Sequence, residues 1–155
     1  MFDCAPNQKL KEFNLNWEAK SIKYLGINIT KNLAKLYQSN YECMNDKDIR
    51  KDFEKLSTYL MSFIDRINTV KINILPRLLY LFQSLPINIQ QIQFQSWDKL
   101  ISRFIWGGKR PRIRYTTLQL PKEKGGLALP NLKEYYHAAQ LCPLIYWCKS
   151  DYIAR

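Results

Sequence analysis

Between residues 62 and 106 apolar side chains recur at helical spacing, divided only by two prolines, and that run limits what the chain can become. The segment "SFIDRINTVKINILPRLLYLFQSL" (62–85) carries the pattern through Pro76 and stops at Pro86. A proline inside a helix removes a backbone donor, and its ring crowds the carbonyl four residues back, so a kink is expected at Pro76. A second helix is expected from about Ile89 to Trp106, where Phe94, Trp97, Leu100, Ile101, Phe104 and Ile105 form a wide apolar stripe. Gly107–Gly108 supplies its stop.

The flanks read differently. "FNLNW" (13–17) alternates apolar and polar residues, and "SIKYLGINIT" (21–30) is rich in β-formers. With "EAK" between them they predict a hairpin over 12–18 and 21–29, with Gly26 as a bulge or a close backbone approach inside the second strand. Residues 41–58 predict a helix with Ile49, Phe53 and Leu56 on one face. "PRIRYTTLQLPKEKGGLALP" (111–130) reads as loop with short extended pieces and a turn at Gly125–Gly126. Asn131 and Glu134 form a capping-box pattern ahead of a last helix, with Leu132, Tyr135, Tyr136 and Ala139 on one face and Pro143 expected to bend or end it. The expected class is mainly α with a small N-terminal β-hairpin (α+β), in three regions: 1–30, 31–87 and 88–155. Two isolated strands are marginal in water, so either the helices cover the hairpin or an upstream portion of a larger protein does.

Charge narrows the partners. The chain of 155 residues has a net charge of +11, and residues 101–124 hold Arg103, Lys109, Arg110, Arg112, Arg114, Lys122 and Lys124 against Glu123 alone. Such a balance favours nucleic acid, an anionic membrane or an acidic protein. Cys4, Cys43, Cys142 and Cys148 have neither zinc-site nor disulfide-framework spacing, which fits reduced thiols. The first residues lack the apolar core of a secretory signal, and no apolar run has membrane-spanning length, so cytosol or nucleus is expected rather than secretion.

The chemistry of an active site is missing from the sequence. It has no Asp-Asp pair, and Asp46 and Asp48 lie in a stretch of mixed charge that reads as solvated surface. His137 is the sole histidine, and neither WGGK nor KGGL has phosphate-loop spacing. No catalytic residue, metal site or cofactor is expected. Binding features are stronger. Lys109, Arg110, Arg112 and Arg114 lie beside Trp106 and Tyr115, and cations with aromatic faces suit phosphates and bases. Arg66, Thr69, Asn73 and Arg77 fall at i, i+3, i+7 and i+11, a polar stripe that could follow a nucleic-acid backbone or simply face solvent. Trp97, Phe104 and Tyr135 are expected in the core.

The order "SIKYLGINIT", "DRINTVKINILPRLLYLFQSLPI", "KLISRFIWGGKRPRIRYTTLQLPKEKGGLALPNLKEYYHAAQL" resembles a LINE-type non-LTR retrotransposon reverse transcriptase over roughly residues 13–149. The resemblance implies that Tyr24, Leu25 and Gly26 match the primer grip at the palm edge, and that residues 41–85 match the helical thumb. It implies that residues 88–149 match the segment that helps bind template RNA. In that frame Arg66 to Arg77 would face the duplex, and the partners would be RNA or an RNA–DNA hybrid and the upstream palm and fingers. The family's Tyr- or Phe-Ala-Asp-Asp motif is absent from this sequence, as are its endonuclease and its cysteine–histidine motif. Met1 therefore reads as the start of a fragment, a grip without catalytic carboxylates. The alternative is a non-enzymatic helical RNA-binding or protein-interaction module on the same scaffold.

Overall fold

Ser21–Tyr24 (β1) and Ile27–Thr30 (β2) pair antiparallel, with Ser21 opposite Thr30 and Tyr24 opposite Ile27. The structure, a computed structural model, describes residues 21–41 and 47–153. "SIKYLGINIT" is thus a whole hairpin and not one strand of a longer pair; the expected partner strand, 12–18, lies outside the described residues. Gly26 is a turn residue and not a bulge. Leu25 (φ 47°) and Gly26 (φ 83°) both take left-handed backbone, the geometry that lets a two-residue loop follow the strand twist. The Tyr80 hydroxyl donates to the Leu25 carbonyl at 2.6 Å and fastens this turn to the helical part.

The other edge of the hairpin is closed by a side chain. Asn40, fully buried, accepts from the Asn28 N–H through Oδ1 and donates to the Asn28 carbonyl through Nδ2, both at 2.8 Å. A second Nδ2 bond, to the Leu36 carbonyl at 2.9 Å, holds the amide in place. The carboxamide thereby stands where a third strand would otherwise pair.

The helices are α1 (Leu33–Tyr37), α2 (Lys47–Ser57), α3 (Phe63–Thr69), α4 (Leu75–Ser84), α5 (Gln91–Ile105), α6 (Tyr115–Gln119) and α7 (Leu132–Ile153). The fold is mainly helical with one small hairpin, as the sequence predicts. Ser62 starts α3 with a capping box: its hydroxyl accepts from the Asp65 N–H, and the Asp65 carboxylate accepts from the Ser62 hydroxyl and N–H. Those bonds hold the Asp65 carboxyl below the usual carboxylate range.

At Pro76 the chain stays helical by widening. Residues Val70–Ile74 form a π segment, in which the Leu75 N–H reaches back to the Val70 carbonyl, and Pro76 then falls in the first turn of α4. A wider turn makes room for the ring, and the first turn needs no donor from it.

Rings from α4, α5 and α7 meet in the core, with Tyr41 from the segment after α1. Phe82 lies 6.0 Å from Trp97, 6.4 Å from Phe94 and 5.5 Å from Tyr136, and Tyr41 reaches Trp97 at 6.5 Å. The Tyr136 hydroxyl donates to the Ile87 carbonyl at 2.9 Å, and Gln140 Nε2 donates to the Phe82 carbonyl at 2.6 Å, which lock α7 over the end of α4.

Three expectations are corrected by the fold. Tyr135 is 41% exposed, while Leu132, Tyr136 and Ala139 are buried: the inward face follows i, i+4, i+7, and i+3 falls at its margin. Of the bend or end expected at Pro143, the end does not occur: helix α7 runs through it. The N–H that Pro143 lacks would have bonded the carbonyl of Ala139, four residues back. Residues 115–119, expected as loop, form the short α6, and the chain folds back so that the Leu127 and Leu129 N–H groups both donate to the Leu118 carbonyl. Among the described residues no helix is long and apolar enough to cross a membrane.

Replacing Asn40 with Ala should orphan both backbone groups of Asn28, at a cost of about 1–3 kcal/mol for each group that stays buried. Urea denaturation should show the loss, and amide exchange should accelerate first at 27–30. Unchanged protection of those amides would contradict the strand-substitute role.

Candidate nucleic-acid interface

The far end of α5 carries a further set of aromatic contacts, continuous with the same core. Phe104 stacks on Phe53 of α2 at 4.5 Å, and Trp106 packs on Phe63 of α3 at 4.9 Å. These contacts bring the ends of α2, α3 and α5 together. The helix stops there by a glycine device: the Gly107 N–H bonds to the Phe104 carbonyl and the Gly108 N–H to the Arg103 carbonyl, with both glycines at positive φ. This pattern satisfies carbonyls that the helix end leaves open.

Arg66 completes the helix end. Its Nη1 donates to the Phe104 carbonyl at 2.8 Å, and its guanidinium carbon sits 5.6 Å from the centre of the Phe104 ring. A Cβ at position 107 would stand only 3.0 Å from that Nη1. Gly107 is therefore favoured by its backbone (φ 58°), and a side chain there would also press on the guanidinium lying against it.

Beyond Gly107 the chain passes Lys109, Arg110 and Arg112, which with Arg66 line an open cleft of about 620 Å³. Phe63 and Trp106 form an aromatic wall of it, and Ile105 and Pro111 add apolar surface. Among the described residues no acidic side chain lines this cleft. Lys109, Arg110, Arg112 and Arg114 are exposed, and among the described residues none makes a side-chain hydrogen bond or ion pair.

The segment is anchored at its exit too. Tyr115, at the start of α6, has its hydroxyl buried beside the Asp98 carboxyl of α5, without a hydrogen bond of ordinary geometry. Burial first, then the Asp98 charge, pushes the tyrosine pKa up. Burial likewise pushes the Asp98 carboxyl up, with the Tyr115 hydroxyl pulling the other way.

The residues that the sequence points to therefore fall into separate places. Arg66, Lys109, Arg110 and Arg112 meet in one cleft, and Arg114 stands outside its lining. Arg77 pairs with Asp52 of α2, and it shares a hollow with Asn73, Lys55 and Tyr59. Gly26 borders an apolar cavity with Arg77 and Tyr80, and Tyr24 and Leu25 are exposed at the hairpin turn. Thr69 is half-buried against the Met61 sulfur at 3.6 Å. The stripe expected over Arg66, Thr69, Asn73 and Arg77 is thus divided, because the π segment between Thr69 and Leu75 turns the residues after it away from α spacing. Sequence spacing does not mark Phe63 and Pro111 as cleft residues. Ser62 and Asp65, spaced as a capping box, do mark where α3 starts and so where Phe63 is held.

Among the described residues no group of three or more His, Cys, Asp or Glu side chains could hold a metal ion. No protein-family model matches the chain.

Two measurements probe this geometry. Gly107→Ala and Gly108→Ala both place a Cβ at positive φ, at about 1–2 kcal/mol each; only the first also displaces Arg66, whereas position 108 opens on space. Gly107→Ala should be the more destabilising in urea, and equal losses would count against the Arg66 contact. Asp98→Asn should stabilise the protein at neutral pH. A carboxyl whose folded pKa is raised stabilises the fold only while protonated, and that contribution is lost as pH rises through the folded value. The advantage of Asp98→Asn should therefore close as pH falls through the carboxylate range; a constant difference would refute the burial penalty.

Proposed function

We propose that this chain is a nucleic-acid-binding part of a LINE-type non-LTR retrotransposon reverse transcriptase, gripping template and primer without carrying the catalytic carboxylates. The observation that supports it most is the cleft at the end of α5, where Arg66, Lys109, Arg110 and Arg112 converge with no acidic residue among the described lining. Like charges close together repel, and a phosphate backbone relieves that repulsion while releasing its own counterions. The motif order from "RINTVKINILPRLLY" through "KGGLALPNL" supplies the family reading, and RNA or an RNA–DNA hybrid is the ligand it implies. Polymerase chemistry needs carboxylates that hold two metal ions about the attacking and leaving oxygens. This sequence offers no Asp-Asp pair for that task.

Replacing Lys109, Arg110, Arg112 and Arg114 together with Gln should weaken binding to RNA and DNA, single-stranded and duplex alike. The slope of log K against log salt should become shallower by ~0.7 to ~0.9 for each phosphate that is no longer neutralised. All four side chains are exposed, so the circular dichroism spectrum should not change. An unchanged slope in the folded variant would refute the phosphate-binding role. In the same preparations, primer extension with Mg²⁺ or Mn²⁺ should yield no product, and nucleotide incorporation by the pure chain would overturn the non-catalytic reading.

A further inference from the structure

The cleft is more than a patch of charge. Its lining joins four cations, Arg66, Lys109, Arg110 and Arg112, to the apolar surface of Phe63, Ile105, Trp106 and Pro111. Both rings are half-buried, so each keeps surface open to the cleft. A site for phosphate alone gains nothing from such a surface, because an apolar ring beside an anion displaces water and offers no donor in return. A nucleotide unit matches both parts of the lining: a charged phosphate for the cations and a flat π-face for the rings. In a duplex the base faces are hidden in the stack, and only an unpaired residue can present one.

We infer that the cleft binds one unpaired nucleotide of a single strand, its base against the Trp106–Phe63 wall and its phosphate on Arg66 and the 109–112 cations. The volume, about 620 Å³, lies within the range of sites that enclose small ligands. Arg66 is set in advance: its bond to the Phe104 carbonyl uses one of its donors and fixes the plane of the guanidinium, which leaves its other donors for an oxyanion. This assignment rests on the nucleic-acid reading and goes beyond it, since phosphate contacts alone would treat single strands and duplexes alike.

The test compares a short thymidine oligonucleotide with an abasic strand of equal length, which keeps every phosphate and removes every base. At one salt concentration the wild-type chain should bind the abasic strand at least about fivefold more weakly, the least that stacking one base on one aromatic face contributes. The two salt slopes should be equal, because the phosphates are the same. Trp106→Leu should narrow the difference. Since Trp106 also packs on Phe63, and that variant could lose the fold, location is read independently in the wild type. Photocrosslinking with a 5-iodouracil strand, mapped by mass spectrometry, should mark Phe63 or Trp106. Equal affinity for the two strands, or a crosslink confined to other elements, would overturn the nucleotide site and leave the phosphate-binding reading standing. Failure of both strands to bind at low salt would overturn both readings.

Discussion

Phe82 is the ring on which the helices converge. It touches Phe94 and Trp97 of α5 on one side and Tyr136 of α7 on another, and Trp97 carries the cluster on to Tyr41. Large rings bury more apolar area per residue than any other side chain, so truncating one in such a setting costs about 3–5 kcal/mol. That constraint acts at a distance. With one end of α5 fixed in the aromatic core, the helix is a rigid rod of about 22 Å at 1.5 Å per residue over its 15 residues. Its other end delivers Phe104, Trp106 and the glycine stop to α2 and α3. The cleft is therefore held by packing to which Lys109, Arg110 and Arg112 add no ion pair or side-chain hydrogen bond among the described residues.

Arg66 joins the two levels. The Phe104 carbonyl it satisfies belongs to the last turn of a helix, where a cation is favoured by the helix dipole. Its planar head also rests on the Phe104 ring and against Gly107. Lysine could supply the charge but neither the flat contact nor a second donor in a fixed direction. A residue engaged this way is a poor choice for deletion, since its loss removes a bond and a ring contact at the helix end as well as a charge. The exposed cations at 109–114 separate those effects.

Much of this fold is legible in the sequence because a helix with one buried face writes its period into the residues. Ile49 and Phe53 of α2, Phe94, Trp97, Ile101, Phe104 and Ile105 of α5, and Leu132, Tyr136 and Ala139 of α7 are buried as their spacing predicts, and Leu100 is half-buried beside them. What spacing does not encode is where the backbone departs from its period. Leu25 takes positive φ in a turn that usually calls for Asn or Gly, so its strand reads as longer than it is. The π segment before Pro76 inserts a wider turn that no residue type announces, and it divides a stripe that regular α spacing would have kept whole. The cleft is half visible in the same way. Its cations are adjacent in sequence, but Phe63 and Arg66 come to them only through α3, and that requires the tertiary contact at Phe104.

Formal charge and available charge are different quantities in this chain. The sum of +11 counts every Lys and Arg equally. In the fold, Arg77 is paired with Asp52, Lys71 donates to the Leu127 carbonyl at 2.7 Å, and Arg66 is partly committed to Phe104. Burial, together with the neighbouring Lys122, even draws the Lys71 pKa below its usual value, as expected of a cation held mainly for structure. The cations at 109, 110 and 112 carry no such engagement among the described residues, and they stand on a short segment held at both ends, by Trp106 on Phe63 and by Tyr115 beside Asp98. Anchored ends keep the segment close to its place on Arg66 and lower the ordering cost of binding. The cations of this segment are thus exposed, without an ion pair among the described residues, on a stretch of chain held at both ends.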